Sequence, residues 1–255
     1  MTVQTIFEYL NTRFPVSSAM SGDNVGILAG NPAASVTRVM LTLDCTPAVV
    51  EEALQMGCEL IISHHPLIFR PLSRVLPGHF VTDALTALLK NDIALISMHT
   101  NLDAGSAGVN DCLAAALELQ DVELLPDGEG IGRMGTLPET MTGDTFVHHV
   151  KDRLDAPGLR HTPITGHIRK VAVGGGACGD YWEAAIAAGC DALVTADVKY
   201  SMFSYAAHAG LLLIDAGHFS TENVVIEPLG EGLQEAFPEL LFFISAVHHD
   251  VTCFA

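Results

Sequence analysis

The sequence predicts an α/β fold, made of two similar α/β domains that arise from an internal duplication. Three observations predict it. Short apolar and β-branched runs alternate with segments of helical spacing along the whole chain, which implies strands that are parallel at least in part. Residues 51–63 match residues 182–195 when Gly57 is set on Gly189, and Thr37-Arg38-Val39 upstream echoes Arg169-Lys170-Val171. Polar residues also gather at the carboxyl ends of strands in both halves, where open α/β sheets collect their ligands.

Residues 5–14 are apolar at helical spacing and stop before Pro15. Asp23-Asn24-Val25-Gly26-Ile27-Leu28 reads as a turn entering a short strand. Residues 37–43 form a strand with Asp44 at its end. Pro47 then opens a helix reaching Met56, the position proline favours. Residues 60–63 are the next strand, 82–90 a helix, and 93–98 a strand that ends in His99-Thr100-Asn101-Leu102-Asp103. Residues 109–119 are helical. The acidic, glycine-rich stretch 121–130 sets the expected boundary between a first domain, 1–125, and a second, 126–255. In the second half, strands are expected at 131–137, 170–173, 192–195, 211–214 and 240–245. Helices are expected at 144–154, 181–188, 202–208 and 220–236.

Composition narrows the function. The chain is 49% hydrophobic and 16% charged over 255 residues, enough to bury a large core. Its formal net charge is -18 and its 12 Lys and Arg form no run, so neither nucleic acid nor an anionic membrane is expected as a partner. The carboxylates are suited to offset bound cations. The six cysteines show no CxxC spacing and read as reduced core thiols of a cytoplasmic protein. No apolar run reaches transmembrane length, and the first residues lack a basic segment leading into an apolar one. Neither a membrane span nor a signal peptide is expected.

Ser63-His64-His65-Pro66 carries the most chemistry. A β-branched run ending in two histidines reads as a buried strand that delivers both imidazoles at its carboxyl end. Adjacent strand residues point to opposite faces, so both rings meet one site only where the strand has ended. Pro66, which has no N–H to donate, supports that ending. Each half also has a histidine followed four residues later by a carboxylate, His99 with Asp103 and His218 with Glu222. His218 and Glu222 lie one helical turn apart if a helix starts near Ser220. The second copy holds Ala196 and Asp197 where the first has His64 and His65.

His64, His65, Asp103, His218 and Glu222 form a His/carboxylate set without thiolates, suited to zinc, iron, manganese or nickel. Five ligands exceed what one tetrahedral ion needs. Two ions bridged by a carboxylate fit the count, and paired ions suit hydrolysis. His99 is either a sixth ligand or a group that orients Asp103 from outside, and the second role is the one expected.

Other motifs are weaker. Gly174-Gly175-Gly176-Ala177-Cys178-Gly179 satisfies GxGxxG between a strand and a helix, with Asp197 downstream. Its repeat partner, residues 41–46, has no glycine, so dinucleotide binding is not expected. A milder reading has its backbone N–H groups holding a substrate phosphate. His248-His249-Asp250 reads as a strand end with a polar tail, and His148-His149 as mid-helix residues whose rings diverge.

Three longer motifs stand out together: Ile61-Ile62-Ser63-His64-His65-Pro66-Leu67-Ile68-Phe69, His99-Thr100-Asn101-Leu102-Asp103 and Asp215-Ala216-Gly217-His218-Phe219-Ser220-Thr221-Glu222. With the weaker Asp23-Asn24-Val25-Gly26 and Asp197-Val198-Lys199-Tyr200, they resemble the GTP cyclohydrolase 1 type 2 homologue family, also called the Nif-three-like family, over nearly the whole chain. The resemblance implies two α/β domains with a dinuclear metal site in the cleft between them, ligated by His64, His65, Asp103, His218 and Glu222. It also implies a toroidal homohexamer whose sites face an internal cavity. Some members carry an extra domain between the halves, for which residues 121–169 leave no room. Gly22 stands where the family often has Trp, and Ser201 where it often has His. The implied activity is that of a metal-dependent hydrolase with metal-bridged water as nucleophile, opening the GTP ring with loss of formate or cleaving a phosphoester or amide. No Ser or Cys stands in the family context of a nucleophile. The alternative is a non-catalytic metal-binding scaffold or regulator acting through protein partners.

Overall fold

In a computed structural model, which describes residues 1–163 and 166–254, the alternation of apolar runs and helical segments resolves into two sheets. The chain opens with α1 (Val3–Arg13), whose preceding Thr2 hydroxyl accepts the Thr5 N–H and so caps the helix. Then come β1 (Gly26–Ala29), β2 (Arg38–Thr42), α2 (Pro47–Gln55), β3 (Leu60–Ser63), α3 (Phe80–Lys90), β4 (Ala94–Ser97) and α4 (Thr100–Ala104). The next segment holds α5 (Val109–Ala116), β5 (Gln120–Leu124), β6 (Arg133–Thr142), α6 (Gly143–Arg153), β7 (Arg160–His161), β8 (His167–Val173) and α7 (Trp182–Ala187). It continues with β9 (Ala192–Thr195), α8 (Tyr200–Ala209), β10 (Leu212–Asp215) and α9 (His218–Glu222). The last elements are α10 (Ile226–Ala236) and β11 (Leu241–Ile244).

The first sheet has the order β1-β4-β3-β2-β11, with β1 antiparallel to β4 and the other pairings parallel. Parallel strands are covered on both faces, so Leu60, Ile61, Ile62 and Ser63 are all buried. Ile61, Met40 and Leu95 pack with Val49, Ala53, Ala84 and Leu88 of the covering helices. The second sheet has the order β5-β6-β8-β9-β10-β7, with a parallel centre of β8, β9 and β10. Its core joins Val171, Val194 and Ile214 to Leu113, Leu137, Phe146 and Val150.

The two β-α-β-α-β cores repeat details that a shared topology alone would not require. Glu59 Oε2 accepts the N–H groups of Thr37 and Arg38, and Asp191 Oδ2 accepts those of Arg169 and Lys170. Arg38 reaches the carbonyl of Met56, and Lys170 that of Ala188. Gly57 and Gly189 end the preceding helices at φ 68° and 73°, a conformation glycine adopts without strain. These matched contacts support a common origin for the two cores.

Packing divides the chain into residues 1–106 with 226–249, and residues 107–225 with 250–255. This differs from the expected split at 125/126, for a reason visible in the register. β5 pairs with β6, which pairs with β8, so the acidic stretch joins the second sheet. β11 pairs in parallel with β2, so the chain returns to the first unit. The helix expected at 220–236 is broken accordingly: α9 ends at Glu222, residues 223–225 form a 3-10 turn, and α10 starts at Ile226. Among the described residues no helix is long and apolar enough to cross a membrane.

Candidate metal centre

β3 ends at Ser63, and the backbone then turns. The Ser63 hydroxyl donates to the carbonyl of His65, while the N–H groups of His64 and His65 still reach the carbonyls of Thr42 and Leu43. The strand has therefore ended as the doublet begins, and the two rings lie on one side with centroids 4.8 Å apart. His64 is buried at 1% exposure, and its Nδ1 donates to the Met98 carbonyl at 2.8 Å. That bond leaves Nε2 as the lone-pair nitrogen. His65 donates Nδ1–H to Asp44 Oδ1 at 2.8 Å, so that in the neutral ring Nε2 carries the lone pair.

β4 runs through Met98 to His99, whose ring stands 5.3 Å from that of His64 and 5.6 Å from that of His65. His99 donates Nδ1–H to Asp23 Oδ1 at 2.9 Å, and the other carboxylate oxygen of Asp23 accepts Thr100 N–H and Oγ1–H. One nitrogen from each of His64, His65 and His99 falls within 4.8 Å of the others. His99 is expected to orient Asp103, and its backbone carbonyl accepts the Asp103 N–H. The His99 ring belongs to Asp23 and to the histidine cluster, which makes it a candidate ligand. Asp103, buried on α4, places Oδ1 3.5 Å from His64 Nε2.

The second unit brings His218 and Glu222 together. β10 ends at Asp215, Gly217 turns the chain at φ 87°, and α9 begins on His218. The extra turn residue shifts the pair by one position: His99 lies two residues past the end of β4, whereas His218 lies three past the end of β10. His218 donates Nδ1–H to Asp197 Oδ2 at 2.8 Å and turns Nε2 toward Glu222 Oε2 at 3.1 Å. Glu222 is 3% exposed. Asp215 steadies the turn by accepting Val198 N–H and Gly217 N–H and by pairing with Arg160.

Within the glycine stretch 174–179, Gly175 and Gly176 lie against Glu222, whereas Gly174 and Gly179 are crowded by Cys178 and Met202. A Cβ on Gly176 would lie 2.1 Å from Glu222 Oε1, and one on Gly175 would lie 3.4 Å from Glu222 Cγ. The N–H groups of Gly174, Gly175, Gly176 and Cys178 are taken by Val194 O, Asn110 Oδ1, Thr221 Oγ1 and Thr195 Oγ1. A phosphate therefore finds no N–H to accept from at those four positions.

The donor set fits divalent transition ions. Four imidazoles each commit Nδ1–H to a carboxylate or a backbone carbonyl, the usual second partner of a metal-bound histidine. His64 Nε2 facing Asp103 Oδ1, and His218 Nε2 facing Glu222 Oε2, are acceptors set against acceptors. Such pairs repel unless a proton or a cation stands between them. Burial of Asp103 and Glu222 adds to the need for positive charge. Burial alone would raise the pKa of Asp44 and Asp23. Hydrogen bonds from His248 and His65 to the first, and from His99 and Thr100 to the second, outweigh it and hold both carboxyls well below the usual carboxylate range.

Sequence reasoning missed His248 as the second partner of Asp44, and missed Asp23, Asp44 and Asp197 as the holders of the imidazoles. Their one visible signal is a carboxylate at a strand end or turn, as with Asp44 after β2 and Asp197 after β9.

Residues 1–251 match the family model described as Duf34/NIF3 (NGG1p interacting factor 3). A Clostridium perfringens protein named GTP cyclohydrolase 1 type 2 homolog is 33% identical over 250 residues, 96% of this chain and 95% of that protein. A Streptomyces coelicolor protein of the same name is 37% identical over 227 residues, 84% of this chain and 79% of that one. The crystal structure of a Bacillus cereus protein related to NIF3 aligns with a TM-score of 0.94 at 26% identity, covering 100% of this chain and 99% of that one.

Proposed function

The chain belongs to the Duf34/NIF3 family, and from that premise we propose that it is a metal-dependent hydrolase holding two divalent transition ions on His64, His65, Asp103, His218 and Glu222. The observation that carries this reading is the shared pose of the imidazoles, each fixed at Nδ1 so that Nε2 is presented to an ion. The second half-site offers only one imidazole and one carboxylate, too few for an ion by themselves. Five ligands exceed what one tetrahedral ion needs and suit two.

Bound ions of this kind supply hydroxide near neutral pH and polarise the bond under attack. The residues of the chain do the rest. Asp44, Asp23 and Asp197 fix the tautomer and direction of His65, His99 and His218. Asp103 and Glu222 supply buried negative charge. The side chains of His65, His99 and His218 remain 23%, 21% and 35% exposed, so solvent reaches the imidazoles. That access favours an enzyme over an inert scaffold, whose coordination would be filled by protein.

The name of the relatives makes GTP the first substrate to test, beside cyclic and linear phosphoesters and amides. Turnover of at least one of these is expected from metal-loaded protein, lost on chelation and restored by metal. Protein that holds its full metal complement and turns over none of them, with no exchangeable water on the metal, would favour the scaffold.

A further inference from the structure

We propose that His248 is a positioning residue for the metal centre, locking the carboxylate that aims His65, so that the C-terminal segment of the first unit helps set metal affinity. The proposal rests on the reading of His65 as a ligand.

Asp44 takes one imidazole on each oxygen: His65 Nδ1 on Oδ1 at 2.8 Å and His248 Nε2 on Oδ2 at 2.9 Å. A carboxylate with one fixed partner can rotate about its Cβ–Cγ bond. With both oxygens held it rotates only by breaking both bonds. The Asp44 side chain is 41% exposed, so water competes for it, whereas His248 is a fixed donor at 9% exposure. The residues between are pinned as well. Ser245 N–H donates to the Leu41 carbonyl, continuing the pairing of β11 with β2 past its last register pair, Ile244 with Leu41. Ser245 Oγ–H and Ala246 N–H donate to the two oxygens of Glu52 on α2. His248 N–H reaches Ser245 Oγ at 3.3 Å. β11 thus carries His248 alongside the end of β2, where Asp44 stands. The polar tail expected from the sequence is a built support.

The test compares Zn(II) affinity, by chelator competition on the full chain, in the parent, His248→Phe, His248→Gln and His65→Ala. Phenylalanine keeps the ring volume and removes the donor, whereas glutamine keeps an N–H at the Nε2 position. His248→Phe is expected to bind Zn(II) about 10- to 100-fold more weakly, the usual effect of losing an outer partner. His248→Gln should recover most of that loss. Metal-free melting temperatures check that each variant folds. Parent-like affinity in His248→Phe, or no recovery in His248→Gln, would overturn the role of His248. His65→Ala binding Zn(II) as tightly as the parent would instead overturn the ligand reading on which the role depends.

Discussion

Asp103→Asn is expected to remove tight metal binding while leaving the metal-free protein at least as stable as the parent. Asp103 Oδ1 lies 3.5 Å from His64 Nε2, whose other nitrogen already donates to Met98 O. With metal absent and no proton between them, the parent sets two acceptors against each other. Asparagine has the same shape and can turn an N–H toward Nε2. A neutral hydrogen bond of that kind contributes about 1 kcal/mol. With metal present the sign reverses, because the amide is a poor ligand and the charge that offset the cation is gone. Affinity should fall by more than about 100-fold, beyond what losing an outer partner does. Thermal unfolding after chelation and Zn(II) competition on the same preparation check both halves. A variant that melts lower without metal yet binds Zn(II) as before would make Asp103 a structural residue.

Gly176→Ala is expected to disable the second half-site at modest cost to the fold. Gly176 has φ 65°, where a residue with a Cβ is destabilised by about 1–2 kcal/mol. The new methyl would stand 2.1 Å from Glu222 Oε1 and 3.2 Å from His218 Cε1. The cheapest relief is for the Glu222 carboxylate to swing away, which removes it from the ion. Gly189→Ala provides the control: φ is 73°, but nothing lies within 4 Å of the added Cβ. Both variants should lose similar stability, and only Gly176→Ala should lose metal. Equal metal content in the two would mean that Glu222 is not a ligand or that the loop yields without disturbing it.

These effects separate what the sequence made legible from what it did not. His64, His65, His99 and His218 were visible because imidazoles beside apolar runs have few structural uses at a strand's carboxyl end. Their holders were hidden because a lone aspartate has a local explanation as turn or cap. Asp23 meets His99, and Asp44 meets both His65 and His248, only through tertiary pairing. β5 escaped notice because Gln120–Leu124 is exposed throughout and shows no alternation. The return of β11 to the first sheet rests on its pairing with β2, and no local pattern records so distant a partner. The glycine stretch stayed open for the opposite reason: its spacing satisfied GxGxxG, while Gly175 and Gly176 lie against Glu222, a contact that spacing does not record.

That His64, His65, Asp103, His218 and Glu222 together hold two ions is tested most directly by elemental analysis of the purified protein, before and after equilibration with excess Zn(II) followed by desalting. Two divalent transition ions per chain are expected, falling in the Asp103→Asn and Gly176→Ala variants while their folds survive. A single tightly held ion at full occupancy, with no second ion retained after excess metal, would contradict the dinuclear centre.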